Sequence, residues 1–128
     1  DNLKTIFEDY LFTKDYEYIV VDTNFVMRDS FKLLISRYAA KIICLSDGSA
    51  TANEKARKAI GVFQMMEKEE DCSILSKAQL LYNNMSNRPD CSIIDQPIST
   101  LGAINRFGGA TQSQIIEEIA KEQLFENI

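Results

Sequence analysis

Hydrophobic positions along this chain alternate between two spacings, and the alternation predicts an α/β protein. Amphipathic stretches with helical spacing cover 3–11, 31–38, 50–69 and 111–125. Short apolar runs without polar alternation lie between these stretches, as is typical of strands covered on both faces. This order is that of right-handed βαβ units, so we predict a mostly parallel sheet with helices on both faces.

The individual runs give bounds for the predicted elements. Asp29 or Ser30 is the expected N-cap of the second helix. The predicted strands are Tyr18–Val21, Lys41–Leu45, Ala78–Tyr82, Cys91–Ile94 and Ser99–Ile104. With 128 residues, 45% of them hydrophobic, the chain is long enough for one α/β domain spanning 1–128.

Composition narrows the class of protein. A net charge of −5 argues against a general binder of nucleic-acid phosphates, so no nucleic-acid partner is expected. The absence of histidine excludes a histidine-based triad, and three cysteines without a CxxC pair fit a reducing cytoplasm. No apolar run approaches the ~18 residues of a membrane span. The first residue, Asp1, is not Met, and we expect the chain to be part of a longer polypeptide.

Polar residues follow three of the predicted strands at the points where they end. These are Asp22, Asp47 and Asn83. The carboxyl ends of parallel strands meet at one edge of a sheet, where ligands bind. A carboxylate there can hold the water shell of Mg²⁺, and an asparagine amide can recognise the edge of a purine. Each residue also has a purely structural interpretation, as a cap or as part of a turn.

The ordered set of motifs resembles one protein family. The segments YEYIVVDTNF, KIICLSDGSATANEKARKAI, KAQLLYNNMSN and LGAINRFGG are similar to the C-terminal half of MinD/ParA-like deviant-Walker-A P-loop ATPases. The sequences of LLYNNMSN and of the C-terminal segment resemble the pilus-assembly branch, the TadZ/CpaE-like proteins, more than the cell-division branch. The fold implied is part of a P-loop NTPase.

The resemblance assigns roles residue by residue. Asp22 takes the Walker B position and would organise Mg²⁺, while Asn83 would recognise the adenine of ATP. Asn105 ends the segment near the base, where the family has proline, and Asp47 is a further candidate for contact near the nucleotide. No residue of the chain is assigned a catalytic role.

The family's phosphate-binding loop has no counterpart in this sequence. Phosphoryl transfer depends on cations and backbone N–H groups around the β- and γ-phosphates. ATP and Mg²⁺ are therefore expected as cofactors only when an upstream half supplies that loop, and these residues alone are expected to be inactive. The family implies a cytoplasmic homodimer, recruited to the inner membrane or a cell pole, with pilus or secretion machinery proteins as partners.

Two other functions remain open from the sequence. The run VVDTNFVM resembles the opening strand of PIN-like ribonucleases, in which Asp22, Glu54, Asp71 and Asp90 would gather divalent metal ions and activate water. Alternatively, the domain is a non-catalytic docking scaffold, because a fold of this kind does not fix a function.

Overall fold

Three parallel strands form the sheet of this protein. A computed structural model describes residues 2–25, 28–85, 97–106, 108 and 111–122. The strands are β1 (Ile42–Ser46), β2 (Ala78–Met85) and β3 (Ser99–Asn105), in the order β1-β2-β3. The predicted α/β class and parallel sheet are confirmed. The predicted strand Cys91–Ile94 lies outside the described residues.

The helices follow the predicted stretches closely. Helix α1 covers 2–13 in three short segments, Asn2–Lys4, Thr5–Tyr10 and Leu11–Thr13, and α2 covers 29–38 as Asp29–Leu33 and Leu34–Tyr38. Helix α3 is Ala50–Glu70, a single turn follows at Leu75–Lys77, and α4 is Gln112–Glu122. The predicted N-cap of α2 is wrong, because Arg28 holds that position and Asp29 is already helical.

One face of the sheet is packed against α2 and α3. The register pairs Ile42 with Ala78 and Cys44 with Leu80, and alternate side chains of a strand share a face. The main buried cluster on this face contains Phe31, Ile35, Ile42, Phe63, Met66, Ile74 and Ala78. On the opposite face Leu81 is buried, whereas Ile43 and Leu45 of β1 are exposed. Cover of that second face is therefore incomplete over β1.

The predicted strand Tyr18–Val21 is wrong for this structure. The segment 14–25 contains neither helix nor strand, and Val20 is 91% exposed. The backbone N–H and C=O groups of a strand are hydrogen-bonded by neighbouring strands. An apolar run without such a neighbour therefore does not form a strand. Within the described residues β1 pairs with β2 alone, so its other edge is open.

Helix α1 is attached to α2 by aromatic side chains. The rings of Phe7 and Tyr38 stack with centroids 4.9 Å apart, and Phe12 meets both rings edge-on. The Tyr38 hydroxyl donates a hydrogen bond to Glu8 at 2.8 Å, and Arg37 pairs with the same carboxylate at 3.2 Å. The amino-terminal helix thus packs on α2.

Candidate functional site

Three of the four predicted site residues lie along one edge of the sheet. Ser46, the last residue of β1, pairs with Tyr82, so Asp47 and Asn83 both follow a paired position of adjacent strands. Asn105 is the last residue of β3 and pairs with Met85. Adjacent strands are about 4.8 Å apart, so Asp47, Asn83 and Asn105 follow one another along the carboxyl-terminal edge.

A β-bulge surrounds Asn83. Between the pairs Tyr82–Ala103 and Met85–Asn105, β2 has two residues, Asn83 and Asn84, where β3 has only Ile104. The strand therefore does not end at Tyr82 as predicted but continues through the bulge to Met85. Asn84 has a left-handed backbone (φ 57°), which asparagine tolerates better than most residues. Bulges change the direction of neighbouring side chains, and Asn83 is exposed.

The turn after β1 presents Asp47 to solvent. Its Oδ1 accepts a hydrogen bond from the backbone N–H of Ser49 at 2.9 Å. Hydrogen bonds donated by the Ser49 hydroxyl and backbone hold the pKa of the Asp47 carboxyl below its usual value, so it is ionised at neutral pH. Ser49 is also the N-cap of α3, where its Oγ accepts from the Ala52 N–H at 3.2 Å. Gly48 supplies the positive φ of the turn, 80°.

Sequence reasoning missed two polar residues beneath this turn. Ser46 and Asn53 are buried, and the Ser46 hydroxyl donates to Asn53 Oδ1 at 2.7 Å. The available signal was the helical spacing, because Asn53 stands three residues before Ala56 and seven before Ile60 on the buried face of α3. An asparagine on an apolar face needs a hydrogen-bonding partner.

Asp22 does not follow a strand in this structure. It belongs to the exposed segment 14–25, which contains neither helix nor strand, so the prediction that Asp22 ends a strand of the sheet is wrong. Among the described residues, no group of three or more cysteine, aspartate or glutamate side chains is arranged to hold a metal ion. A role for Asp22 in binding Mg²⁺ stays a prediction.

Two of the four acidic residues of the ribonuclease alternative lie at opposite ends of one helix. Glu54 lies in the second turn of α3 and forms an ion pair with Arg57, whereas Asp71 caps the far end of the same helix. At ~1.5 Å per residue the two are about 25 Å apart along the helix axis, too far to share metal ligands. Asp90 lies outside the described residues.

Neither models of known protein families nor curated protein sequences yield a match to this chain. Within the described ranges, no helix is both long enough and apolar enough to cross a lipid bilayer.

Proposed function

We propose that this chain is the nucleotide-facing distal half of a MinD/ParA-like ATPase domain of the TadZ/CpaE type. In this proposal it binds ATP and Mg²⁺ together with an upstream half that carries the phosphate-binding loop. ATP-dependent homodimerisation then positions a pilus or secretion machine, from the cytoplasm, at the inner membrane or a cell pole.

The proposal rests on the position of Asp47, Asn83 and Asn105 near the carboxyl ends of three successive parallel strands. Ligands of open α/β sheets bind at this edge. The set combines one ionised carboxylate with two amides, which together accept and donate hydrogen bonds. Such a set suits the sugar and base of a nucleotide better than its phosphates, because the Asp47 carboxylate and the phosphates are both negatively charged and repel each other.

Two further features support the proposal that the sheet is incomplete and that another strand completes it. The outer edge of β1 is unpaired in the described structure, and Leu45 is 62% exposed on the strand's uncovered face. The apolar, β-branched run Ile19-Val20-Val21 is also exposed. An open strand edge and an exposed strand-forming run are both unfavourable in a finished domain. A strand inserted between the open edge of β1 and the run 19–21 would allow that run to join the sheet. Asp22 would then lie at the same edge as Asp47, where it would bind Mg²⁺.

Calorimetric titration with Mg-ATP tests the proposal. The chain joined to an upstream half bearing a phosphate-binding loop should bind Mg-ATP with micromolar affinity, and residues 1–128 alone should not bind it tightly. In the joined protein Asn83→Ala should weaken ATP binding about ten-fold or more, since a lost hydrogen bond to a bound base leaves its polar groups unpaired.

A matched control uses an amide at the opposite end of the same strand. Gln79 lies at the amino end of β2, where its Nε2 donates to Ser99 Oγ at 3.3 Å. Gln79→Ala should leave the affinity for Mg-ATP unchanged. Equal losses in Asn83→Ala and Gln79→Ala, or no loss in either, would contradict a nucleotide site at the carboxyl-terminal edge.

Light scattering separates an ATP-controlled dimer from a docking scaffold. The joined protein should be monomeric without nucleotide and dimeric with Mg-ATP. A dimer that forms equally well without ATP would favour the scaffold.

A further inference from the structure

A directional chain of hydrogen bonds runs beneath the turn that carries Asp47. The Gly48 backbone N–H donates to Ser46 Oγ at 3.1 Å, and the Ser46 hydroxyl donates to Asn53 Oδ1 at 2.7 Å. Ser46 is the last residue of β1, and Asn53 lies in the first turn of α3. The chain therefore connects the end of the strand, the middle of the turn and the start of the helix.

Burial makes this arrangement rigid. Asn53 is 0% exposed, and Ser46 and Gly48 are buried as well. A serine hydroxyl has one hydrogen, so its donation to Asn53 leaves its lone pairs to accept from Gly48. Buried polar groups of this kind have no water with which to exchange their partners, so the turn is held in one conformation.

Asp47 lies between two buried residues of this turn and is itself exposed. Its neighbours Ser46 and Gly48 are both hydrogen-bonded below the surface, while Asp47 itself is exposed and bonded to Ser49. The backbone on either side of Asp47 is consequently fixed through the Ser46 hydroxyl, which bonds both Gly48 and Asn53. The carboxylate can then accept a hydrogen bond from a ligand without first being ordered, which reduces the entropic cost of binding.

We infer that Asn53 is a positioning residue that, through Ser46 and Gly48, holds Asp47 in place to accept a hydrogen bond from a sugar hydroxyl of the nucleotide or from a magnesium-bound water. The inference rests on the proposed function for the identity of the ligand. The positioning itself does not depend on it, and the two are tested separately.

Substitution of the linking hydroxyl tests the positioning. In the whole chain, Ser46→Ala removes the link to both Gly48 and Asn53, whereas Ser46→Thr retains a hydroxyl. NMR titration should show the pKa of the Asp47 carboxyl rising towards its usual value in Ser46→Ala, with faster amide exchange at Gly48, and neither change in Ser46→Thr. Thr51→Ala, on the exposed side of the first turn of α3, is the control and should behave as the parent protein.

Unaltered titration of Asp47 together with unaltered exchange at Gly48 in Ser46→Ala would overturn the inference. Circular dichroism establishes that each variant is folded. Should Ser46→Ala fail to fold, Ser46→Cys, which is close in volume but a weak donor, takes its place with the same expected outcome.

A second test measures the affinity of the joined protein for Mg-ATP. Ser46→Ala should weaken binding about five- to ten-fold, the effect of roughly one hydrogen bond, and Ser46→Thr should restore the parent affinity. If the parent protein itself fails to bind Mg-ATP, the proposed function is wrong while the NMR result still decides the positioning role. If ATP binds but Ser46→Ala binds it equally well, the positioning role is wrong.

Discussion

The carboxylate of Glu67 accepts a hydrogen bond from the backbone N–H of Ile74 at 2.6 Å. The same oxygen, Oε1, accepts from the N–H of Leu75 at 2.7 Å. These bonds join the last turns of α3 to the connection that enters β2, and Ile74 is fully buried in the main core. Hydrogen bonds from Ile74 and Leu75 lower the pKa of Glu67 below its ordinary value of 4.5.

Glu67 makes the stability of the domain dependent on pH. A carboxyl whose pKa is lower in the folded state stabilises the protein above its unfolded-state pKa, and this contribution is lost as pH falls through the folded-state pKa. Glu67→Gln should therefore destabilise the domain at pH 7 and have less effect at pH 3. Urea unfolding at both pH values measures the difference. Glu69→Gln, an exposed position on the same helix, is the control, and a Glu67→Gln effect of equal size at both pH values would contradict the prediction.

Asp71 ends α3 in a left-handed conformation, with φ 47° and ψ 49°. Glycine adopts this region without the Cβ clash, which is why it is common directly after helices. Asp71→Gly should raise the free energy of unfolding by about 0.5–1 kcal/mol, and Asp71→Ala should lower it by a similar amount. Thermal unfolding of both variants provides the measurement. The prediction is wrong if alanine is tolerated as well as glycine.

Among the residues that the structure describes, Phe63 is the largest fully buried side chain and is 2% exposed. It lies on α3 in the cluster that contains Phe31 and Ile42, so its removal leaves a cavity between helix and sheet. Phe63→Ala should cost about 3–5 kcal/mol of stability, as measured by denaturant unfolding. Met65→Ala, on the exposed side of the same helix (58% exposed), should stay within about 0.5 kcal/mol of the parent. Similar costs for the two variants would show that α3 packs through a different face.

Val20 tests whether the exposed apolar run joins a completed sheet. In residues 1–128 alone Val20→Asp should change stability by less than about 0.5 kcal/mol, because the side chain is in water. In the protein joined to its proposed upstream half, the same change should unfold the domain or abolish Mg-ATP binding, because it would bury an unpaired charge. Val20→Thr, which retains the β-branched shape, serves as the milder comparison. Full Mg-ATP binding by the joined Val20→Asp protein would place the run outside the sheet.

The sequence predicts the long helix α3 and the three paired strands. The spacing of Ala56, Ile60 and Phe63 predicts α3, because helices depend on local periodicity. The apolar runs of β1, β2 and β3 are also found at their predicted places. These strands lie next to one another in the sheet, so each has the neighbour that its pattern requires.

The sequence does not predict features that depend on distant partners. The run 18–21 has the composition of a buried strand, yet strand formation is decided by neighbours, and none of the described strands pairs with it. The bulge at Asn83 and Asn84 depends on the register between β2 and β3, which composition alone does not fix. Within the candidate site, the polar residues that follow the strands are predictable from the sequence. The hydrogen bond between Ser46 and Asn53 is not, because it depends on how α3 packs against β1.

The exposed run at 19–21 also has a consequence for handling the protein. Such a β-branched segment, with Val20 almost fully in solvent, is a template for pairing between copies, and cross-β aggregation begins at segments of this kind. Asp15, Glu17 and Asp22 flank the run and act as charged gatekeepers, repelling a second copy at neutral pH and low salt. Solutions of residues 1–128 should therefore become turbid as ionic strength and concentration rise, while the proposed complete domain should stay clear.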